Sequence, residues 1–173
     1  MNRRVGQSTT ILYVVFTLAS EYYGVDIRDT YRVLRMDSLI KVQDAPPVLK
    51  GAVNLQERLV PVVDLRTRLG LKITKPTLES RIVVVNIAER EIGLIVESVT
   101  GVLPIPFSSV EPATALPARN SHLWGIANLG LRQVLLLDLD KVFSVFNGSI
   151  PTMPTISRII PVMPEDGQLT LTL

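Results

Sequence analysis

One pattern occurs twice in this chain and restricts the folds open to it. Gly51-Ala52-Val53-Asn54-Leu55 is followed by Asp64-Leu65, and Gly125-Ile126-Ala127-Asn128-Leu129 is followed at the same spacing by Asp138-Leu139. An apolar run lies between Asn and Asp in each copy: Leu59-Val60-Pro61-Val62-Val63 and Val134-Leu135-Leu136-Leu137. The blocks upstream repeat as well. Val14 to Ala19, then Gly24-Val25, matches Val83 to Ala88, then Gly93-Leu94, and Val33-Leu34 falls on Val102-Leu103. The upstream offset is 69 residues (24 to 93) and the downstream offset 74 (51 to 125), so the second half carries extra residues. They fall in Pro104 to Asn120, a Pro-, Ala- and Ser-rich stretch that reads as loop. The chain is expected to be two related half-units joined head to tail.

Each half reads as short strands. Residues 1–10 are polar and read as a flexible N-terminus. Ile11 to Leu18 and Tyr22 to Ile27 suggest a hairpin turning at Ser20-Glu21, and Arg28 to Arg35 continues extended, with a short helix as the competing reading. Pro47 to Lys50 reads as one helical turn closed by Gly51, with a strand beginning at Asn54. Gln56-Glu57-Arg58 reads as a polar turn. Pro61 marks Leu59 to Val63 as an edge strand or a bulge. Asp64 is placed to cap a turn over Leu65 to Leu69 that Gly70 stops. The second half follows suit: Ile82 to Ile87, a turn at Glu89-Arg90, Glu91 to Val96, Val99 to Leu103, Val134 to Leu137, and Asp138 capping Leu139 to Phe146.

About five short strands per half leave sheet edges to hide, and about 70 residues alone make a marginal core. The expected fold is all-β with short helices: two similar five-stranded antiparallel SH3-like β-barrels packed face to face, with halves at about 11–75 and 80–148. A Pro-containing tail, 149–173, follows; its Ile159, Ile160, Val162 and Met163 call for cover by the body.

Composition removes several function classes. There is no cysteine and one histidine, His122, so thiolate chemistry and Cys- or His-rich metal sites are not expected. His122 reads as a solvated loop residue. A net charge of +2 and 5% aromatics give no nucleic-acid signature, and basic pairs such as Arg66 and Arg68 are isolated. Asn2-Arg3-Arg4 before Ile11 to Ala19 loosely resembles a leader, yet Ile82 to Ala88 repeats that stretch internally, which marks it as fold. No run approaches the ~20 apolar residues of a spanning helix, so a cytoplasmic protein without membrane insertion is expected. Asp64 and Asp138 could be read as the carboxylate dyad of a hydrolase, but Leu follows both and helix capping explains their repetition. No phosphate-binding glycine loop or nucleophile elbow occurs. The expectation is a binding module with no catalysis, cofactor or metal; a small-barrel nucleic-acid binder is the alternative.

Three segments of the first half now carry a resemblance: Tyr23 to Ile27, Ala45 to Leu55 and Val60 to Arg66. Asn86-Ile87, Ile92 to Val99 and Leu136 to Lys141 add to it. From about Leu12 to Phe146 the chain is similar to the CheW family of bacterial chemosensory coupling proteins. The resemblance implies two intertwined five-stranded barrels, with strands exchanged between the halves. It implies a non-enzymatic adaptor joining the cytoplasmic tip of a methyl-accepting chemoreceptor to the regulatory domain of a CheA-type histidine kinase, at receptor arrays. It also implies a receptor-binding groove between the barrels, with Thr30, Arg32, Gly51, Asn54, Gln56, Ile82 and Gly93 at the matching positions. Gly51 and Gly93 have a second reading, as places where a Cβ does not fit. Two departures stand out. The family usually has Asn-Leu-Arg-Gly where this chain has Asn54-Leu55-Gln56-Glu57, and usually Glu where Arg32 stands. The joint loss of that acid and that base suggests a changed surface, as for a receptor of a surface-sensing, pilus or cyclic-di-GMP pathway.

Overall fold

The computed structural model describes residues 9–115 and 121–144, and the backbone of Ile160–Val162 and Thr170–Thr172. Two sheets dominate. The first half contributes β1 (Thr10–Leu18), β2 (Glu21–Asp26), β3 (Thr30–Arg35), β4 (Lys41–Gln43), β5 (Leu49–Leu55), β6 (Arg58–Asp64) and helix α1 (Leu65–Leu69). The second contributes β7 (Arg81–Ile87), β8 (Arg90–Val96), β9 (Ser98–Pro106), β10 (Val110–Pro112), β11 (Leu123–Leu129), β12 (Arg132–Leu137) and helix α2 (Leu139–Ser144). The strand orders are β10-β11-β12-β2-β1-β9 and β3-β7-β8-β6-β5. The halves have therefore traded their first hairpins: β1–β2 sits among strands of the second half, and β7–β8 among strands of the first. The trade is made through two parallel pairings, Leu136 opposite Gly24 and Val62 opposite Gly93. The sheets are thus mixed rather than antiparallel, and one has six strands.

Each sheet is closed by a strand that bends. A flat sheet of six strands would be ~24 Å wide. Yet β9 and β10, at its two ends, are joined by the three-residue 3-10 turn Phe107–Ser109, which spans ~10 Å. The sheet must curl to bring its edges that close. The other sheet behaves alike: β3 leads through the 3-10 turn Met36–Ser38 to Ile40, which bridges to Ala52 on the far edge strand β5. Three apolar clusters follow. Val53, Leu55, Val60, Val62, Ile82, Val84 and Ile95 fill one barrel. Tyr13, Val15, Ile105, Ala127, Val134 and Leu136 fill the other. The largest cluster lies between the barrels, where Phe16, Leu18, Tyr23 and Val25 meet Val83, Val85, Ile92 and Leu94. Strands at that seam bury both faces, which explains the unbroken run Val83-Val84-Val85.

The structure moves several boundaries. Leu49 and Lys50 belong to β5, not to a helical turn; the chain turns at Pro46, whose carbonyl accepts from Leu49 N at 2.9 Å. One helical turn would bury little, whereas Leu49 in the strand is buried opposite Val63. Gly51 therefore lies inside β5, and Asn54 near its end. Pro61 stands in an interior strand, just before the stretch Val62–Asp64 that pairs with β8. Pro104 to Pro106 complete β9 against β1, and β10 adds an edge strand, so part of the supposed loop is sheet. Asp138 caps α2, accepting from Lys141 N at 3.1 Å; the helix is described as far as Ser144. In the tail, Ile160–Val162 and Thr170–Thr172 form β13 and β14, and β14 pairs with β4. Ile159 and Met163 lie outside the described residues.

Apart from the β11–β12 turn at Gly130-Leu131, three hairpin turns fall at Ala19-Ser20, Gln56-Glu57 and Ala88-Glu89, two of them one residue earlier than their polar residues suggest. All six residues have positive φ, as the two-residue turn favoured by strand twist demands, and none is glycine. Glu57, at φ 65°, pays a backbone cost that Gly avoids. Glu57→Gly is expected to stabilise the fold by about 1 kcal/mol in urea titrations.

His122 is half-buried rather than solvated, and its carbonyl accepts from Asp138 N at 3.0 Å. Burial lowers its pKa. Below the unfolded value of ~6.5 the unfolded chain binds the proton more readily, so stability falls as pH drops through that region and is recovered above it. As the chain's one histidine, it should titrate by NMR below ~6.5, and His122→Gln should remove this acid sensitivity.

Candidate interaction surface

The seven candidate residues divide into a surface group and a buried group. β3 forms the rim of its barrel. Thr30 opens it, half-buried, with Oγ1 donating to the Asp26 carbonyl at 3.2 Å. A register shift between Thr30 and Arg32 turns both Tyr31 and Arg32 outward, and the Arg32 guanidinium lies 5.8 Å from the Tyr31 ring centre. No acidic side chain neutralises Arg32 among the described residues. Asn54 and Gln56 are exposed towards the tip of the β5–β6 hairpin. No hydrogen bond joins Arg32 to Gln56 among the described residues.

Gly51, Ile82 and Gly93 are buried, and Ile82 is fully so. Sheet register nonetheless gathers much of the set. Arg32 pairs with Val84, Val84 with Gly93, Gly93 with Val62, and Val62 with Gly51. Arg32, Gly93 and Gly51 thus stand on one row across the five-stranded sheet. The glycines have packing reasons. A Cβ on Gly93 would come within 2.8 Å of methyl carbons of Ile82 and Val62. A Cβ on Gly51 would come within 2.5 Å of the Ile40 carbonyl oxygen, where the closing segment crosses β5. Gly125, its counterpart, has the same role: a Cβ there would stand 2.9 Å from the Glu111 carbonyl on β10. The twice-occurring glycine marks barrel closure. The buried three can shape the surface that Thr30, Arg32, Asn54 and Gln56 present; they cannot offer side chains to a partner.

Sequence reasoning passed over the neighbours of Arg32. Tyr31 and Val33 remain exposed, and Arg35 pairs in register with Arg81 beside them. The alternation Tyr31-Val33-Arg35 was the available signal. It also passed over Arg66. That side chain is buried and binds Asp64 with two hydrogen bonds, Nε to Oδ1 at 3.0 Å and Nη2 to Oδ2 at 2.9 Å. It further donates to the Thr74 carbonyl at 2.8 Å and to the Thr74 hydroxyl. The Asp64 hydrogen bond raises the Arg66 pKa, keeping the guanidinium charged in the interior. Asp64 caps α1 through Arg66 N at 3.0 Å, and Gly70 ends that helix at φ 67°, as expected from the sequence. Asp64 and Asp138 each serve their own helix and form no dyad, and Arg66 is withdrawn from any basic patch.

The match to known proteins is decided by extent. A model of the CheW-like domain matches residues 12–146. The chain belongs to the CheW-like domain family. It is 27% identical over 146 residues to the chemotaxis protein CheW of Klebsiella aerogenes, covering 83% of this chain and 88% of that protein. The CheW of Rhizobium meliloti is 26% identical over 132 residues, covering 75% and 85%. In structure the chain is similar to the crystal structure of scaffolding protein TtCheW from Thermoanaerobacter tengcongensis, with TM-score 0.74 and 32% identity, covering 84% of this chain and 100% of that one. The family is one of non-enzymatic scaffolds in chemotaxis signalling. No helix among the described residues is long and apolar enough to cross a membrane.

Proposed function

We propose that this chain is a cytoplasmic adaptor that couples a methyl-accepting chemoreceptor to the regulatory domain of a CheA-type histidine kinase. The observation that carries the reading is the family match over residues 12–146, supported by a scaffold structure of the same fold. Two barrels locked by exchanged hairpins suit that work, since a rigid body can hold two partners in fixed geometry. The receptor reads the rim at Thr30, Arg32, Asn54 and Gln56, while Gly51, Ile82 and Gly93 set the backbone beneath it. The charge of Arg32 further supports a receptor other than that of the standard motility system, as in a surface-sensing, pilus or cyclic-di-GMP pathway.

Two measurements test this. The tagged chain should retain a CheA-type kinase and a receptor from its own lysate; recovery of nucleic acid without a kinase would sink the adaptor reading. For the pathway, the double variant Arg32→Glu, Gln56→Arg should couple its own receptor at least ~5-fold less well than wild type, the scale of a reversed exposed charge pair. Equal or better coupling by the double variant removes the case for a distinct receptor and leaves the adaptor reading standing.

A further inference from the structure

A cavity of about 400 Å³ opens between the 3-10 turn Ile27–Asp29, the tip of the β7–β8 hairpin and the start of α2. Tyr13, Trp124 and Leu137 give it an apolar wall. Asp26, Asp29, Asp138 and Asp140 bring carboxylates to it. Asp26 is held by Arg28, Nη2 to Oδ2 at 2.6 Å, and Lys141 Nζ lies 3.9 Å from Asp138 Oδ2. Among the described residues, four aspartates against these two cations leave a surplus of negative charge. Burial, then Asp26, raise the Asp29 carboxyl above its ordinary range; Arg28 opposes this and Asp140 adds to it.

The internal repeat shows what such a place holds. At the downstream offset Asp138 corresponds to Asp64, Leu139 to Leu65 and Asp140 to Arg66; at the upstream offset Arg28 corresponds to Glu97 and Ala88 to Ala19. At the first copy Asp64 and Glu97 flank a guanidinium. Arg66 lies on Asp64, and its Nη1 is 3.9 Å from Glu97 Oε1, the oxygen that accepts from Ala19 N at 2.9 Å. At the second copy the position of that arginine is taken by the shorter Asp140 and the receiving aspartate is kept, while Arg28, in the place of Glu97, is engaged by Asp26 rather than by Asp138.

We propose that this cavity receives an arginine side chain from a partner protein. The planar guanidinium takes the place on Asp138 that Arg66 takes on Asp64, with Asp140 and Asp29 supplying the remaining acceptors. Its aliphatic stem lies along Leu137 and the edge of Trp124, whose ring is stacked on both Phe107 and Tyr13. The site adjoins the rim at Thr30, whose hydroxyl donates to the Asp26 carbonyl, but the argument for it does not depend on the receptor reading.

The test uses the full chain, ¹⁵N-labelled, titrated with N-acetyl-arginine amide and, in parallel, with the citrulline and lysine analogues. The arginine probe should give saturable shifts at the Trp124 indole N–H and the Asp138–Lys141 amides. Citrulline should give none, and lysine should bind at least ~3-fold more weakly, since it makes no fork with a carboxylate. Asp140→Arg should place the chain's own guanidinium in the cavity, abolish the probe response and raise the melting temperature. Asp140→Asn, a milder change, should weaken the probe by about fivefold. No saturable shift, an equal response to citrulline or lysine, or undiminished binding by both variants overturns the proposal.

Discussion

Asp64→Ala is expected to lower stability by about 3–5 kcal/mol, while Asp138→Ala, at the equivalent position, costs about 1 kcal/mol. Both aspartates cap a helix, but only Asp64 also neutralises a buried arginine. Removing it strands the Arg66 guanidinium away from water, with Glu97 only as near as 3.9 Å. Asp138 is partly exposed and its ion pair with Lys141 is long, so water replaces most of what the alanine removes. Denaturant midpoints measured at neutral pH with an unchanged m-value would show the difference. The double variant Asp64→Ala, Arg66→Met should recover most of the loss, because no charge is then left buried. If the two alanine variants cost the same, the buried pair adds nothing beyond the cap.

Gly51→Ala and Gly125→Ala should each cost about 3 kcal/mol, for a reason unconnected with any partner. At Gly51 the added methyl meets a backbone carbonyl at 2.5 Å, and the φ of 157° is itself uncommon for an L side chain. The obstacle is main chain, so relief requires the closing segment at Ile40 to lift from β5. At Gly125 the obstacles are the Val110 methyl at 2.7 Å and the Glu111 carbonyl. Gly24→Ala is the control, since its nearest neighbours are side-chain carbons of Leu136 and Val134 at 3.1 and 3.2 Å, which can shift by a few tenths of an ångström. Amide exchange in β4 and at Ile40 should rise in Gly51→Ala, and in β10 in Gly125→Ala, if each glycine holds its barrel shut. Loss of receptor coupling in Gly51→Ala without loss of stability would instead assign that glycine to the interface.

Much of the architecture was legible in the chain because it is written twice. The equal spacing of Gly, Asn, Leu and Asp located the two half-units, and the apolar runs located most strands. Capping by Asp64 and the stop at Gly70 followed from local chemistry, since a cap involves only residues adjacent in sequence. The turns were placed less well. Polar residues attract a turn assignment, yet at Ala19-Ser20 and Ala88-Glu89 the cross-strand register decided, and it left non-glycine residues at positive φ. The extended course of Leu49 and Lys50 was hidden for the same reason: a short helical pattern and a strand look alike until the strand's partner is known.

Of the candidate surface, the sequence by itself determined which residue types stand at the seven positions and that Arg32 and Gln56 depart from the family pattern. Tertiary structure alone decided which of them are exposed. Burial of Gly51, Ile82 and Gly93 depends on Ile40, Val62 and Val84, and the sheet supplies those contacts across the strand exchange. The exchange was implied by the family resemblance alone and leaves no trace in the hydrophobic pattern, because a hairpin has the same pattern whether it pairs with its own half or with the other. Its parallel partners, Val62 for Gly93 and Leu136 for Gly24, are chosen by a core that exists only once both barrels have closed.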